Sequence, residues 1–424
     1  MFKIKPLVAA ILTVAAAQAI AADHTSEQRQ KGMNNLAEVT QSYGSSNDAK
    51  QVQSGMGNDA TVEQTNSYSS SALQTQIGNV NQADVNQTAA SNSSSVQWQL
   101  GHRNEASVTQ TGTLNSDAEQ RQRGNDNIAD TQQSVTTGAD AFTKQEGNDN
   151  VANSYQSGAI GSSTALYQDG NGNEASATQT LSFNDRALID QKGDGNDAAV
   201  VQTWSAGSVA EVEQVGTAND AYVHQTGSNQ EAYTFSSGDY NTLNVAQRGS
   251  NQNAMVYQQG NENHADVAQG GNGNSATANQ IGLGNSAVID QDGRNQVATV
   301  NQTGGYNDAT VDQVGKNNSL TFDQNGAGNI LAAVQDGNGN RITGSSNVAN
   351  NDVDIAQDGD FNVADVNQYG LDNGATVSQY GDDHMATVMQ TGGSHEALVA
   401  QSGVGNTALI SQMGVSNTAI VTQH

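Results

Sequence analysis

Gln302-Thr303-Gly304-Gly305-Tyr306-Asn307-Asp308-Ala309-Thr310-Val311-Asp312-Gln313 decides the fold. Counted from Gln302, Asn307, Ala309, Val311 and Gln313 fall at offsets five, seven, nine and eleven. All are odd, so a strand places them on one face, whereas a helix scatters them around its circumference. The residues between them, Asp308, Thr310 and Asp312, suit a solvated outer face. Gly304 and Gly305 follow the first Gln, where a turn must accept positive φ. The stretch therefore reads as one turn followed by one strand closed by Gln.

Working outward, the same Gln recurs every eleven residues. It appears at Gln258, Gln269, Gln280, Gln291, Gln302, Gln313 and on to Gln401, Gln412 and Gln423. Before Gln214 the step alternates between twelve and eleven, back through Gln41 to Gln30. Of the 36 anchor positions 34 are Gln, the other two being Ser236 and Ser346, so the order is not that of a random polar chain. The eleven-residue units keep Gly, Asn, Ala and Val or Ile at fixed offsets, while the twelve-residue units mostly lose them.

Two arms make a rung of strand, turn, strand, turn, and rungs stack in parallel with equivalent residues above one another. The expected fold is all-β, a two-sheet β-solenoid of about 17 rungs at a spacing of ~4.8 Å. The chain divides into residues 1–22, a short segment 23–29, and one repeat domain over 30–424. Within that domain, alternating arms occupy 30–214 and uniform arms 214–424. Buried Gln and Asn amides are costly unless paired. In-register stacking supplies the partner, each NH₂ meeting the carbonyl of the same residue one rung away.

Lys3 and Lys5, an apolar run from Leu7 to Ala17 and the small residues Ala19–Ala22 have the layout of a secretory signal peptide. That run is too short to span a bilayer, and no other stretch suggests membrane insertion. The formal charge of −28 argues against nucleic acid as a partner. The absence of cysteine excludes disulfides and thiol chemistry. Pro6, the one proline, lies in the leader, so every later residue keeps its N–H for the ladders. The repeat runs to both ends of the sequence, from Gln30 to Gln423, leaving both terminal edges open to another strand.

The pattern Gln-x-Gly-x-x-Asn-x-Ala-x-x-x-Gln resembles the curlin repeat of bacterial curli subunits. The resemblance implies a secreted extracellular amyloid fibre of biofilm matrix at the cell surface. Its partners would be itself, other curlin subunits including a nucleator, and an outer-membrane secretion channel. It implies no cofactor and no enzymatic activity, and it assigns assembly to the stacked Gln anchors named above together with Asn263, Asn274, Asn285, Asn307 and Asn406. The chain carries many more repeats than a usual curlin and only a short segment ahead of them. Major and nucleating roles both stay open.

Rival readings exist. Asp169-Gly-Asn-Gly-Asn and Asp336-Gly-Asn-Gly-Asn resemble the turns of a calcium-responsive β-roll adhesin, but those recur every nine residues with a fixed Asp. A β-helix enzyme needs a focused set of acids and bases, whereas here the acids are spread along the outer face. His384 and His395 occupy the Asn position of adjacent arms, as ladder substitutes or as a paired metal site. Lys192, Arg248 and Arg294 read as solvated turn charges.

Overall fold

A computed structural model describes residues 23–424; the leader assigned above lies outside them. Thirty-six strands, β1 to β36, follow one another without an intervening helix among the described residues. The first two are β1 (Thr25–Met33) and β2 (Leu36–Ser45), and the last two are β35 (Thr407–Val415) and β36 (Thr418–Gln423). Odd-numbered strands form one parallel sheet of eighteen, and even-numbered strands form a second. Both sheets are open: β2 pairs only with Asp59–Tyr68, and β36 only with Glu396–Val404. The architecture is a two-sheet β-solenoid.

It has eighteen rungs rather than about seventeen. Each strand precedes its anchor, so counting intervals between anchors omits the strand that Gln30 closes. That strand, β1, begins at Thr25 and includes most of segment 23–29.

Alternation decides what is inside. In Asp308–Lys316, Ala309, Val311 and Gln313 are buried while Asp308, Thr310 and Asp312 face solvent. The same three inward positions recur in strand after strand, and their Ala, Val, Ile and Leu form one continuous apolar core from Ala152 to Ile410. A smaller cluster, including Ala49, Val62, Val85 and Val108, lies nearer the N-terminus. Where one inward residue is large, a neighbour is small. The Phe322 ring is fully buried, and a Cβ on Gly344 of the next rung would lie 2.7 Å from it.

The conserved offset of Gly has a steric cause. A Cβ on Gly282 would sit 1.8 Å from the carbonyl oxygen of Gly304 one rung on, and φ there is +132°. Close stacking of turns therefore demands glycine at this point. Val348 takes its place in one arm, with φ 89°. The twelve-residue arms turn differently. They use two left-handed residues, such as Asn66 and Ser69, and bury small polar side chains such as Ser67 and Ser70. The extra residue disappears between Asp197–Ala206 and Asp220–Ser228, where pairing passes from Gln202↔Gln225 to Ser205↔Gly227. Exposed Trp204 stands in that bulge with φ 53°.

Candidate functional site

The residues singled out by spacing form columns parallel to the rod axis. In the second sheet, Gln269 Nε2 donates to Gln291 Oε1 at 2.8 Å, and Gln291 Nε2 donates to Gln313 Oε1 at 2.8 Å. This column is unbroken from Gln41, which donates to Gln64 at 2.7 Å, to Gln401, which donates to Gln423 at 2.8 Å. Each amide also donates to an opposing backbone carbonyl, as Gln291 does to Ser275 O at 3.1 Å. The stack thereby satisfies a buried amide twice and fixes the two sheets against each other.

In the first sheet Gln30 donates to Gln53 at 2.8 Å, Gln258 to Gln280 and Gln280 to Gln302 both at 2.9 Å, and Gln390 to Gln412 at 3.0 Å. Serine interrupts this column twice. Ser236 Oγ still donates to Gln258 Oε1 at 3.1 Å, and Ser346 Oγ to Gln368 Oε1 at 3.0 Å. A hydroxyl thus preserves the bond to the following rung, although it is too short to meet the amide of the preceding one.

The five asparagines fall into two turn columns on opposite edges of the rod. Asn263, Asn285 and Asn307 share one: Asn285 Nδ2 donates to Asn263 Oδ1 at 3.1 Å, and Asn307 Nδ2 to Asn285 Oδ1 at 3.0 Å. The backbone N–H groups of Asn285 and Asn307 reach the same oxygens at 3.1 Å. Asn274 and Asn406 belong to the other column. Asn274 Oδ1 accepts the N–H of Gln296 at 3.1 Å, and Asn406 Nδ2 donates to Ser402 O at 2.7 Å. The asparagine amides run opposite to the glutamines. A Gln donates toward the C-terminal rung, whereas an Asn carbonyl accepts from it.

His384 and His395 also lie on opposite edges, so they do not form a paired site. Both are fully buried, and each imitates an asparagine. His384 Nδ1 accepts the N–H of Asn406 at 3.2 Å while its Nε2 faces Tyr380 O at 3.2 Å. His395 makes the same contacts with Asn417 and Thr391. The Asp169 and Asp336 turns commit their asparagines to neighbouring rungs: Asn171 donates to Asp194 and Asn338 to Asp360, both at 2.8 Å.

A further column escaped the spacing argument. Gln28, Gln51, Gln74, Gln97 and Gln120 stack inside the first five rungs at 2.9 to 3.1 Å, where later rungs place mostly apolar residues such as Ile189, Val212 and Val300. Their signal was present as the tripeptides Gln51-Val-Gln53, Gln74-Thr-Gln76 and Gln97-Trp-Gln99. These polar rungs are why the apolar core is smaller at this end. Asp185 was missed too. It is buried in the twelve-residue turn column, where Oδ1 accepts the Ser208 N–H at 2.8 Å and Oδ2 accepts the Ser205 hydroxyl. Burial holds its carboxyl above the usual range, partly offset by those hydrogen bonds.

At the two ends the columns stop in complementary states. Gln412 and Gln423 spend their amide hydrogens on Glu396 O, Asn417 O and Thr407 O, with no further rung to receive them among the described residues. Gln30 and Gln41 expose carbonyl oxygens that accept from no amide among the described residues. The outer edges of β1, β2, β35 and β36 likewise have no partner strand there.

Fold and columns together define a repeat protein of the parallel β-solenoid class, one whose rungs are joined by stacked side-chain amides. The curlin associated repeat matches residues 32–65, 206–233, 238–271, 260–293, 284–315, 349–381, 381–414 and 396–424. These segments cover half of the chain, and the protein belongs to the curlin family. No curated protein matches it. The unmatched stretch 66–205 holds the twelve-residue turns that lack the Gly and Asn signature, and 316–348 holds the arm with Gly344, Ser346 and Val348.

Proposed function

We propose that this chain is a structural, non-enzymatic subunit of an extracellular curli-type amyloid fibre in biofilm matrix, growing by end-to-end β-stacking. The observation that carries the reading is the match between the two end rungs. Placed below β35 and β36, β1 and β2 of a second copy offer Gln30 Oε1 to Gln412 Nε2 and Gln41 Oε1 to Gln423 Nε2. The Asn column continues in its own direction, Asn35 donating to Asn417. The turn Gln412-Met413-Gly414-Val415-Ser416-Asn417 is of the same eleven-residue kind as Gln30-Lys31-Gly32-Met33-Asn34-Asn35. An open edge with an in-register ladder recruits its like.

Family membership supports secretion to the cell surface, through an outer-membrane channel and with a nucleating partner subunit. Fibre diffraction and electron microscopy of the purified mature chain test the assembly reading. Filaments with a meridional reflection near ~4.8 Å are expected; stable monomers of the same β content would overturn homopolymerisation.

A further inference from the structure

The two broad faces of the rod differ chemically. Outward side chains stand five, three and one residues before each anchor and one residue after it. On the first sheet these positions hold nine Lys or Arg and thirteen Asp or Glu; on the second they hold one and nineteen. The formal charges are therefore −4 and −18. Large apolar and aromatic residues number 23 on the first face and 13 on the second.

Ion pairing follows the same division. Glu27 with Arg29 and Lys50, Arg121 with Glu119, Lys144 with Glu146, and Lys192 with Asp190 all lie on the first face. Among the described residues the second face has no ion pair, and Arg103–Asp126 belongs to a turn. On the second face, burial and like-charged neighbours raise the carboxyls of Asp59, Asp197, Asp290 and Asp352. Aromatic stacking also concentrates on the first face. Phe142 and Tyr167 have ring centroids 5.3 Å apart with Arg121 over the Phe142 ring, and Phe235 and Tyr257 stack at 5.0 Å.

We propose that two rods pair through their first-sheet faces, the occupant of each face being a second copy of this chain. The proposal builds on the fibre reading by adding a lateral partner. A face of eighteen strands and seven residues' width spans roughly 80 by 20 Å, or ~1,600 Å² per rod. A standard specific interface takes about 800 Å² per partner. Five of the nine cations on this face, Arg29, Lys50, Arg121, Lys144 and Lys192, already hold a carboxylate in place, so burying it strands fewer lone ions than burying the second face would. Joining two second-sheet faces would instead set −18 against −18. Joining unlike faces would leave an open layer on each side and build sheets of rods without limit. Pairing of like first-sheet faces closes at two and leaves both acidic faces outward.

The test is mass per unit length of filaments by dark-field electron microscopy. The wild type is expected to hold two chains per ~80 Å of rod. Trp98→Asp, Phe235→Asp and Tyr369→Asp combined should halve that value. The control combination on the other face, Tyr155→Asp, Tyr222→Asp and Tyr380→Asp, should leave it unchanged. A wild-type value of one chain, an unhalved first-face variant, or equal loss in both variants overturns the inference. Should the first-face variant lose its β circular dichroism, serine replacements at the same positions serve with the same criteria. Should no filaments form, end stacking fails, and face pairing is read by sedimentation of the rods. A wild-type dimer that the first-face variant alone dissociates then sustains it, and a wild-type monomer overturns it.

Discussion

Replacing Asp185 by Asn should stabilise the rod, and by an amount that depends on pH. The side chain is 1% exposed and occupies the turn column in which Asn47 stands several rungs earlier. Asn47 shows how an amide fits: its Oδ1 accepts the Ser70 N–H at 3.1 Å and its Nδ2 donates to Ser67 O at 2.7 Å. In Asp185→Asn the Ser208 N–H keeps its acceptor, and the new NH₂ meets the Ser205 hydroxyl, which turns to accept. What is lost is one charge-assisted bond of about 1.5–3 kcal/mol. What is removed is the larger cost of holding a carboxylate out of water, the effect that raises the group.

Because the folded protein holds this proton above the unfolded value of about 3.9, the wild type is at full relative stability below that pH. It loses stability as pH rises toward the folded value. The variant has no such loss. Its advantage should be near zero at pH 4 and grow to on the order of 1 kcal/mol at pH 7, the desolvation cost removed less the charge-assisted bond lost. Guanidinium unfolding of dispersed rods at pH 4, 5, 6 and 7, followed by circular dichroism, measures it. A stability difference that is the same at pH 4 and pH 7 would refute the reasoning.

Other positions give sharper contrasts. Gln296 stands where the column wants Asn, and its buried Oε1 has no partner; Gln296→Asn should gain about 1 kcal/mol in the same unfolding assay. Gly282→Ala should cost more than about 3 kcal/mol, since backbone must move, whereas Gly172→Ala, with φ +63° and nothing within 4 Å, should cost about 1–2 kcal/mol; equal losses in thermal melts would contradict the stacking constraint. Gln401, Gln412 and Gln423 changed together to Ala should slow elongation, followed by dye fluorescence on seeded fibres, more than the same change at Gln191, Gln202 and Gln214. Fibre formation should be faster at pH 4–5 than at pH 7 in dilute buffer, because the raised carboxyls of Asp59, Asp197, Asp290 and Asp352 lose their charge early on acidification; identical lag times would remove electrostatic repulsion as the control.

Most of the architecture was legible because stacking repeats one sterically demanding solution. Gln at the anchor, Gly two residues later and Asn five residues later each answer a constraint imposed by the next rung, so the constraint is written once per arm. The twelve-residue turns were illegible for the opposite reason. Ser, Thr and Ala fill their buried positions interchangeably: Ser116 pairs its hydroxyl with Thr136 at 2.9 Å, while Ala139 buries a methyl group. No single residue type marks the column. Gln28 to Gln120 was hidden because its position varies elsewhere, from Thr143 and Leu166 to Val300 and Phe322. The direction of the Asn bonds was not legible either, since a period says which residues meet but not which atom faces which.

That direction has an electrical consequence. Stacked amides that point one way sum to a dipole along the rod axis, expressed as partial charges at the two ends of each column. The glutamine columns carry their positive ends toward the C-terminal rung, whereas the asparagine carbonyls turn their negative ends that way. The two sets of moments partly offset each other where both turn columns hold asparagine, and less so in the first rungs, where Gln28 to Gln120 add a third glutamine column. Each end of the rod therefore shows a pattern of donors and acceptors that the opposite end of another copy matches, which fixes the polarity of growth.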